Sequence, residues 1–373
     1  MVSLLSLSTV VAMPDEFAGE LSGLIRRIND GFGSHNITLS LRYIPTFSKE
    51  FSLFSKNLID VEISGNFSGS HQVDSFGNNS DTTHFKPYRF WLRYSTQRFE
   101  ARLGLQKITF GPARLFRPLM WFDRLDPRDP LQLTEGVYGL RLRYDFQNNA
   151  NIWLWGLYGN KDTKGWEGIP TKTGTPEFGG RLQHPLGNGE MAFTAHRRMV
   201  NQVGHLDSSD RIMTGKSIPE NRIALDGMWD IGPGIWFETA LIHASHGQSY
   251  PNWLSFLTVG MDYTFEIGSG LTIMGEHFSL TAGDAPYNPD TKTEISGIIF
   301  SYPLGIMDQL ALFYIYNWDS KQSYQYISWQ RTYDVLTFHI SGFLSSRKQS
   351  IGINESLGST GTSGIQLIII FNH

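Results

Sequence analysis

The chain contains no cysteine, few charged residues and no long hydrophobic run. Only 18% of its 373 residues are charged, whereas about 25% is typical of a soluble domain. Without a thiol, a disulfide framework and any cysteine-based zinc or iron–sulfur site are excluded. The longest unbroken apolar stretches, such as residues 367–371, are far shorter than the roughly 20 residues that a transmembrane helix needs.

Charge of one sign is not in excess either. The 31 lysines and arginines and the 35 aspartates and glutamates leave a net charge of −4, which argues against a nucleic-acid partner. Aromatic residues make up 13% of the chain, which is too many for a disordered protein. At about 150 residues per domain the length alone suggests two or three domains. One large all-β unit is the alternative, and the composition favours it.

The dominant pattern in the sequence has a period of two, which is typical of strands with one apolar face. For example, Leu140, Leu142 and Tyr144 alternate with Arg141 and Arg143. This alternation recurs along most of the chain, helical spacing is scarce, and we therefore predict about 18 strands, with 16 as the alternative. The predicted strands lie near 17–28, 36–47, 56–69, 86–96, 98–109, 136–147, 150–160, 175–184, 189–199, 221–230, 234–246, 255–267, 270–281, 293–303, 307–319, 323–333, 335–346 and 363–373.

The connections between these segments alternate in length. Tight turns rich in glycine, asparagine or proline alternate with longer polar stretches, and aromatic residues bracket many of the apolar segments. Short turns on one side, long loops on the other and aromatic girdles are typical of an antiparallel barrel in the outer membrane. Short periplasmic turns and long extracellular loops are therefore predicted. The longer stretches lie at 68–84, 111–135, 159–175, 199–220, 282–292 and 346–362.

The chain divides into a short N-terminal segment and one barrel domain. Residues 1–16 are mildly apolar at their start and are interpreted either as the remnant of a secretory signal or as a periplasmic N-terminal segment. Residues 17–373 form the predicted barrel.

Two segments carry a resemblance to a known group of proteins. Residues 102–111, RLGLQKITFG, run from a predicted strand into a loop rich in proline, arginine and tryptophan. The last segment, 364–371, is dominated by apolar residues and ends in an aromatic one. In these features the chain resembles the porin-type channels of Gram-negative outer membranes, and within that group the alginate-export and related barrels. The resemblance implies location in the cell outer membrane, contact with lipid and lipopolysaccharide, and neither a cofactor nor a metal site.

The polar faces of the strands are predicted to line an aqueous lumen, since a barrel of about 16–18 strands is wide enough for a channel. Inward basic residues come mainly from the first half of the chain and inward acidic residues from the second, which predicts a basic wall facing an acidic one. Such a field orients polar solutes, and guanidinium groups bind carboxylates and phosphates. The alternative is that the arginines pair with Glu100 and Asp145 and stiffen the wall. The predicted pore-lining residues are Arg42, Arg89, Arg93, Glu100, Arg102, Arg141, Arg143, Arg181, Arg198, Asp226, Glu238, Asp262 and Glu276.

The segment 111–135 combines four prolines with charges of both signs, which favours an ordered loop. By its position it is the third long loop, and the resemblance to porins implies that it folds inward and narrows the lumen. The alternative is an ordinary surface loop packed on the rim. The predicted constriction residues are Arg114, Arg117, Trp121, Asp123, Arg124, Asp126, Arg128 and Asp129.

These features predict a passive diffusion channel for small hydrophilic solutes, including anionic ones. The alternative is a structural or scaffolding barrel within a larger export, adhesion or electron-transfer complex. Assembly as a homo-oligomer or with a protein partner fits either function. No nucleophile elbow, phosphate-binding glycine loop or zinc-protease motif is found, and the chain is predicted not to be an enzyme.

Overall fold

The computed structural model describes residues 11–12, 16–29, 33–53, 57–124, 129–207, 210–246, 250–286, 288–346 and 363–373. None of these residues belongs to a helix long and apolar enough to cross a membrane. The described residues form nineteen strands: β1 (Val11–Ala12), β2 (Glu16–Asn29), β3 (His35–Leu53), β4 (Asn57–Asp74), β5 (Asn79–Ser95), β6 (Phe99–Gln106), β7 (Val137–Asp145), β8 (Asn151–Leu157), β9 (Glu177–Leu186), β10 (Gly189–Asp207), β11 (Asp210–Asp230), β12 (Gly234–Ala244), β13 (Trp253–Phe265), β14 (Leu271–Gly283), β15 (Thr291–Pro303), β16 (Asp308–Asn317), β17 (Gln322–Thr332), β18 (Leu336–Ser345) and β19 (Ser363–Asn372).

Strands β2 to β19 form a closed antiparallel barrel of 18 strands. Each strand pairs with the next in the sequence, and β19 closes the ring by pairing with β2, from Ser363 opposite Asn29 to Asn372 opposite Glu20. The two-residue β1 pairs with the end of β3, where Val11 lies opposite Ser52. The predicted all-β barrel of about 18 strands is confirmed, and closure leaves no free sheet edge.

The alternation predicted from the sequence decides which face of the wall is apolar. Leu41, Leu103 and Phe193 lie on the outside and are at least half exposed, whereas Arg141 and Asp226 point into the barrel and are buried. A continuous apolar outer surface of this kind requires a lipid environment. Lipid contact is therefore the reason that the pattern of period two persists around the barrel.

Two of the predicted loops are instead long strand pairs. Most of the stretch 68–84 belongs to β4 and β5. The described part of the stretch 199–220 belongs to β10 and β11, which have 19 and 21 residues. A transmembrane strand needs about 9–11 residues, so these hairpins extend beyond the membrane. Beyond the membrane no lipid imposes an alternation of apolar and polar side chains. Both stretches are therefore rich in polar residues, and the sequence predicts loops there.

At the opposite end the connections are short, as predicted. Only Gly187 and Asn188 join β9 to β10, and Gly187 has a φ of 61°. A two-residue hairpin turn requires such a left-handed backbone, which glycine adopts without strain. This end, which also contains turn 96–98, is called the short-turn end, and the opposite one the loop end.

Candidate functional site

The described part of the loop between β6 and β7, residues 107–124 and 129–136, packs inside the barrel. Its aromatic side chains Phe116, Trp121 and Phe122 are each less than 3% exposed, and Phe110 is 7% exposed. Strands β6 and β8 have only 8 and 7 residues, because the chain leaves the wall early and turns into the lumen. The segment 107–136 is called the inner loop below.

Two glutamates of the wall hold the main chain of the inner loop. Glu238 on β12 accepts hydrogen bonds from the N–H groups of Ala113 (2.8 Å) and Leu119 (3.1 Å). Glu276 on β14 accepts from Arg114 (2.7 Å) and also from the next two N–H groups, both at 2.9 Å. Both glutamates were predicted to line the pore; here they lie under the loop and act as its anchors.

The wall that receives the inner loop is apolar as well as acidic. Inward-facing Trp236, Phe256 and Phe278 are buried, and the Phe116 ring lies 5.7 Å from that of Phe278. Thr258 between them donates a hydrogen bond of 2.6 Å to the carbonyl of Phe116. On this side the barrel therefore contains a packed core rather than an open lumen.

A second loop, residues 158–176 between β8 and β9, also enters the barrel. The Trp166 ring stacks on Phe278 at 5.1 Å and 14°, and its indole N–H donates to the carbonyl of Arg117 at 2.8 Å. Gly165 has a φ of 47°, and a Cβ there would lie 1.6 Å from the carbonyl oxygen of Met120. The two loops thus pack tightly against each other, a contact that the sequence did not reveal.

The wall next to this second loop carries a buried network of ion pairs. Arg222 lies 2.7 Å from Glu167 of the second loop. Arg198 lies 2.6 Å from Glu220, and a further loop–wall pair joins Lys164 to Glu177 at 2.9 Å. A further pair, Arg181 with Asp226, is bidentate at 2.6 and 2.7 Å. Because each charge has a partner of opposite sign, this side contributes little net field to the lumen.

Near the short-turn end a second group of arginines is also paired. Arg93 lies 2.7 Å from Asp60, and Arg143 lies 2.8 Å from Asp145. Glu100 contacts three guanidinium groups: Arg141 by a hydrogen bond, Arg102 at 3.6 Å and Arg93 at 3.6 Å. The pairing with Glu100 and Asp145 weighed from the sequence is the arrangement found, although arginines outnumber acids around Glu100.

On the opposite side, beneath the wall formed by β2–β5, a cavity of about 730 Å³ remains. The wall contributes Arg26 and Arg42 together with serines, and the inner loop contributes Arg124 and Asp129. Lys86 lies between Glu135 (3.3 Å) and an aspartate of the second loop (3.7 Å). The cavity is therefore polar and carries charges of both signs.

The other predicted constriction residues stabilise the inner loop or tie it to the wall. Arg117 lies 3.5 Å from Asp123, and both are buried. Arg114 reaches Asp262 of β13 at 2.9 Å, Arg124 bonds to Thr163, and Asp126 and Arg128 lie outside the described residues. Burial lowers the pKa of the Lys107 ammonium at the start of this loop.

Arg89 connects the wall to the far end of the inner loop. Its guanidinium donates to the carbonyl and the hydroxyl of Thr134, at 3.1 and 2.9 Å. Of the predicted pore-lining arginines, Arg42 is the one that lines the large cavity.

Several charged residues of the lumen were not predicted. Arg26 follows the alternation of β2 to the inside, and Glu220 and Arg222 follow that of β11. The same alternation that identifies Asp226 also places Glu220 inside the barrel, but the stretch 199–220 is predicted to be a loop. Arg222 lies in the predicted strand 221–230, where the alternation alone was enough to identify it. Glu167 had no such signal, because it lies in a loop.

Solved structures with this architecture include an outer-membrane porin and further outer-membrane proteins. The anion-selective porin from Comamonas acidovorans has a TM-score of 0.53 and 11% identity, with 97% of this chain and 100% of the porin covered. OccAB3 of Acinetobacter baumannii has a TM-score of 0.59 and 8% identity, with 96% of this chain and 99% of OccAB3 covered. The outer membrane protein OprD from Pseudomonas aeruginosa has a TM-score of 0.56 and 9% identity, with 96% of this chain and 93% of OprD covered.

No protein-family model matches the sequence, and no curated protein resembles it. Identities of this size establish the architecture alone. The chain therefore has the fold of an outer-membrane porin, a closed antiparallel barrel of 18 strands.

Proposed function

We propose that the protein is a channel of the cell outer membrane for the passive diffusion of small hydrophilic solutes, with a preference for anions. The observation that carries the proposal is a closed barrel whose outer face is apolar and whose lumen keeps a polar cavity of about 730 Å³ beside Arg26 and Arg42. The outer face is in contact with lipid and lipopolysaccharide.

The shared fold supports this proposal, because a neighbour with this fold is an anion-selective porin. We expect no enzymatic activity. The narrower resemblance to alginate-export barrels remains a prediction. Assembly with further copies of the chain or with a protein partner also remains a prediction.

Conductance tests the proposal directly. The purified protein, inserted into planar bilayers in potassium chloride, is expected to give discrete conductance steps, and a salt gradient is expected to give a reversal potential on the anion-selective side. Protein inserted as a folded barrel that passes no current would overturn the channel function. Alginate oligomers added to the same bilayer should reduce the current if such polymers enter the lumen.

A further inference from the structure

We propose that solutes cross this barrel along one side only, against strands β2–β5, and that Arg26 and Arg42 select anionic solutes on that path. The inference rests on the proposed channel function and adds the position of the path and its specificity-determining residues. Three properties of the lumen support it: the packing of one side, the free volume on the other, and the distribution of paired and unpaired charge.

The side formed by β10–β14 has no room for a solute at the level of the inner loop. Even small inward side chains, Thr194 on β10 and Thr258 on β13, are 0% exposed. Glu238 between them is equally inaccessible. The two loops therefore seal this wall, and an inward position here does not mean contact with the pore.

The side formed by β2–β5 is different. Small hydroxyl side chains, Ser22, Ser40, Ser68 and Ser70, line the cavity of about 730 Å³. A volume of this size lies within the range of about 300–1,000 Å³ that holds small ligands. Residues of all four strands, β2 to β5, line the cavity, so that it extends across this part of the wall.

Charge follows the same division. On the sealed side, acids and bases neutralise each other in ion pairs, as in Arg181 with Asp226. Within the part of the chain that the structure describes, Arg26 and Arg42 form no ion pair and no hydrogen bond to another side chain, and the Nε of each is buried without a partner. The carboxylate of Glu20 interacts with Arg42 electrostatically without forming an ion pair. Two unpaired guanidinium groups at a cavity attract a carboxylate, phosphate or other small anion.

The absence of cysteine makes the position of the path measurable. Single variants Ser40→Cys and Ser68→Cys on the proposed path, and Ala192→Cys on the sealed side, are inserted into planar bilayers and treated with a charged methanethiosulfonate reagent. Ala192 points inward from β10 and is 3% exposed. We expect a loss of conductance for the two serine positions and no change for Ala192→Cys.

The selection of anions by Arg26 and Arg42 is tested with substitutions of these residues and one control substitution. Arg26→Gln and Arg42→Gln should each shift the reversal potential in a salt gradient towards cations, and the double variant should shift it further. Arg27→Gln is the control, because Arg27 is the next residue of β2 and points outward; it should leave the potential unchanged. Migration of the folded and heat-denatured forms on a gel verifies that each variant forms a barrel.

The outcomes distinguish a failure of the one-sided path or of its selecting residues from a failure of the channel function. If the cysteine variants conduct and only Ala192→Cys is blocked, the one-sided path is overturned while the channel function stands. If Arg26→Gln and Arg42→Gln keep the original selectivity, these residues do not select the solute. If no folded protein conducts at all, the channel function itself fails.

Discussion

Glu276 is expected to hold the inner loop in place, and its removal should widen the channel. Its carboxylate accepts three main-chain N–H groups of the loop and the indole N–H of Trp236, at 2.7–2.9 Å. Glu276→Ala leaves these four donors without their acceptor, at a cost of about 1 kcal/mol each or more. The three donors that belong to the loop account for about 3 kcal/mol, which favours the displaced loop about a hundredfold, since about 1.4 kcal/mol corresponds to a factor of ten.

Single-channel recording measures this effect. Glu276→Ala should show a larger mean conductance and additional open levels, because a displaced loop enlarges the cross-section. Glu276→Gln should fall between the wild type and alanine, since its amide oxygen still accepts while its NH₂ group faces the donors. Glu62→Gln is the control: Glu62 also points inward, and no hydrogen bond joins it to the described part of the loop. Unchanged conductance and unchanged thermal unfolding in Glu276→Ala would refute the anchoring role.

Three further changes test the lumen at other points. Glu100→Gln removes the acid shared by three guanidinium groups, and the loss of about 1 kcal/mol of cation attraction should raise the anion-to-cation permeability ratio about fivefold in reversal-potential measurements. Gly165→Ala places a Cβ against the Met120 carbonyl in a left-handed backbone, and should lower the free energy of unfolding in urea by more than about 2 kcal/mol. In the control Gly159→Ala the Cβ meets open space, and the free energy of unfolding should fall by only about 1–2 kcal/mol. Trp166→Ala removes a stacked ring between the two loops and should cost about 3–5 kcal/mol in the same unfolding measurement.

Matched substitutions control the other two experiments. Glu266→Gln changes an exposed acid in a turn of the short-turn end and should leave the permeability ratio of the wild type unchanged. If Glu100→Gln also keeps the wild-type permeability ratio, the arginines near Glu100 do not act on passing ions. Trp318→Ala truncates a tryptophan that is 54% exposed, so a loss equal to that of Trp166→Ala would contradict the packing role of Trp166.

The barrel could be predicted from the sequence because lipid acts on every strand in the same way. Along β7, Tyr138, Leu140 and Tyr144 face outward and Arg141 faces inward, which is the assignment that the alternation predicts. Each strand repeats this local rule, and no knowledge of its neighbours is needed. Where lipid contact ends, as in the long hairpin of β10 and β11, the rule ends too, and the prediction failed there.

The filling of the lumen could not be predicted, because it depends on contacts between distant parts of the chain. Trp236 and Phe278 are apolar residues on the inner face, where polar residues are expected. They lie there because they pack against the inner loop, which is distant from both of them in the sequence. Glu238 and Glu276 looked like pore acids for the same reason. Alternation places a side chain inside the barrel, but it does not say whether water or another segment meets it there.

The distribution of charge along the sequence explains why one side of the lumen is neutral. A ring of strands with a basic first part and an acidic second part has two junctions. At the first, around β9–β11, bases and acids are neighbours, and Arg181 pairs across β10 with Asp226. At the second, where β19 meets β2, the inward side chains described on β17–β19, such as Tyr326 and Gln366, are uncharged. Arg26 therefore finds no acid beside it in the described part of that wall, and the field that acts on a solute remains on the side of β2 and β3.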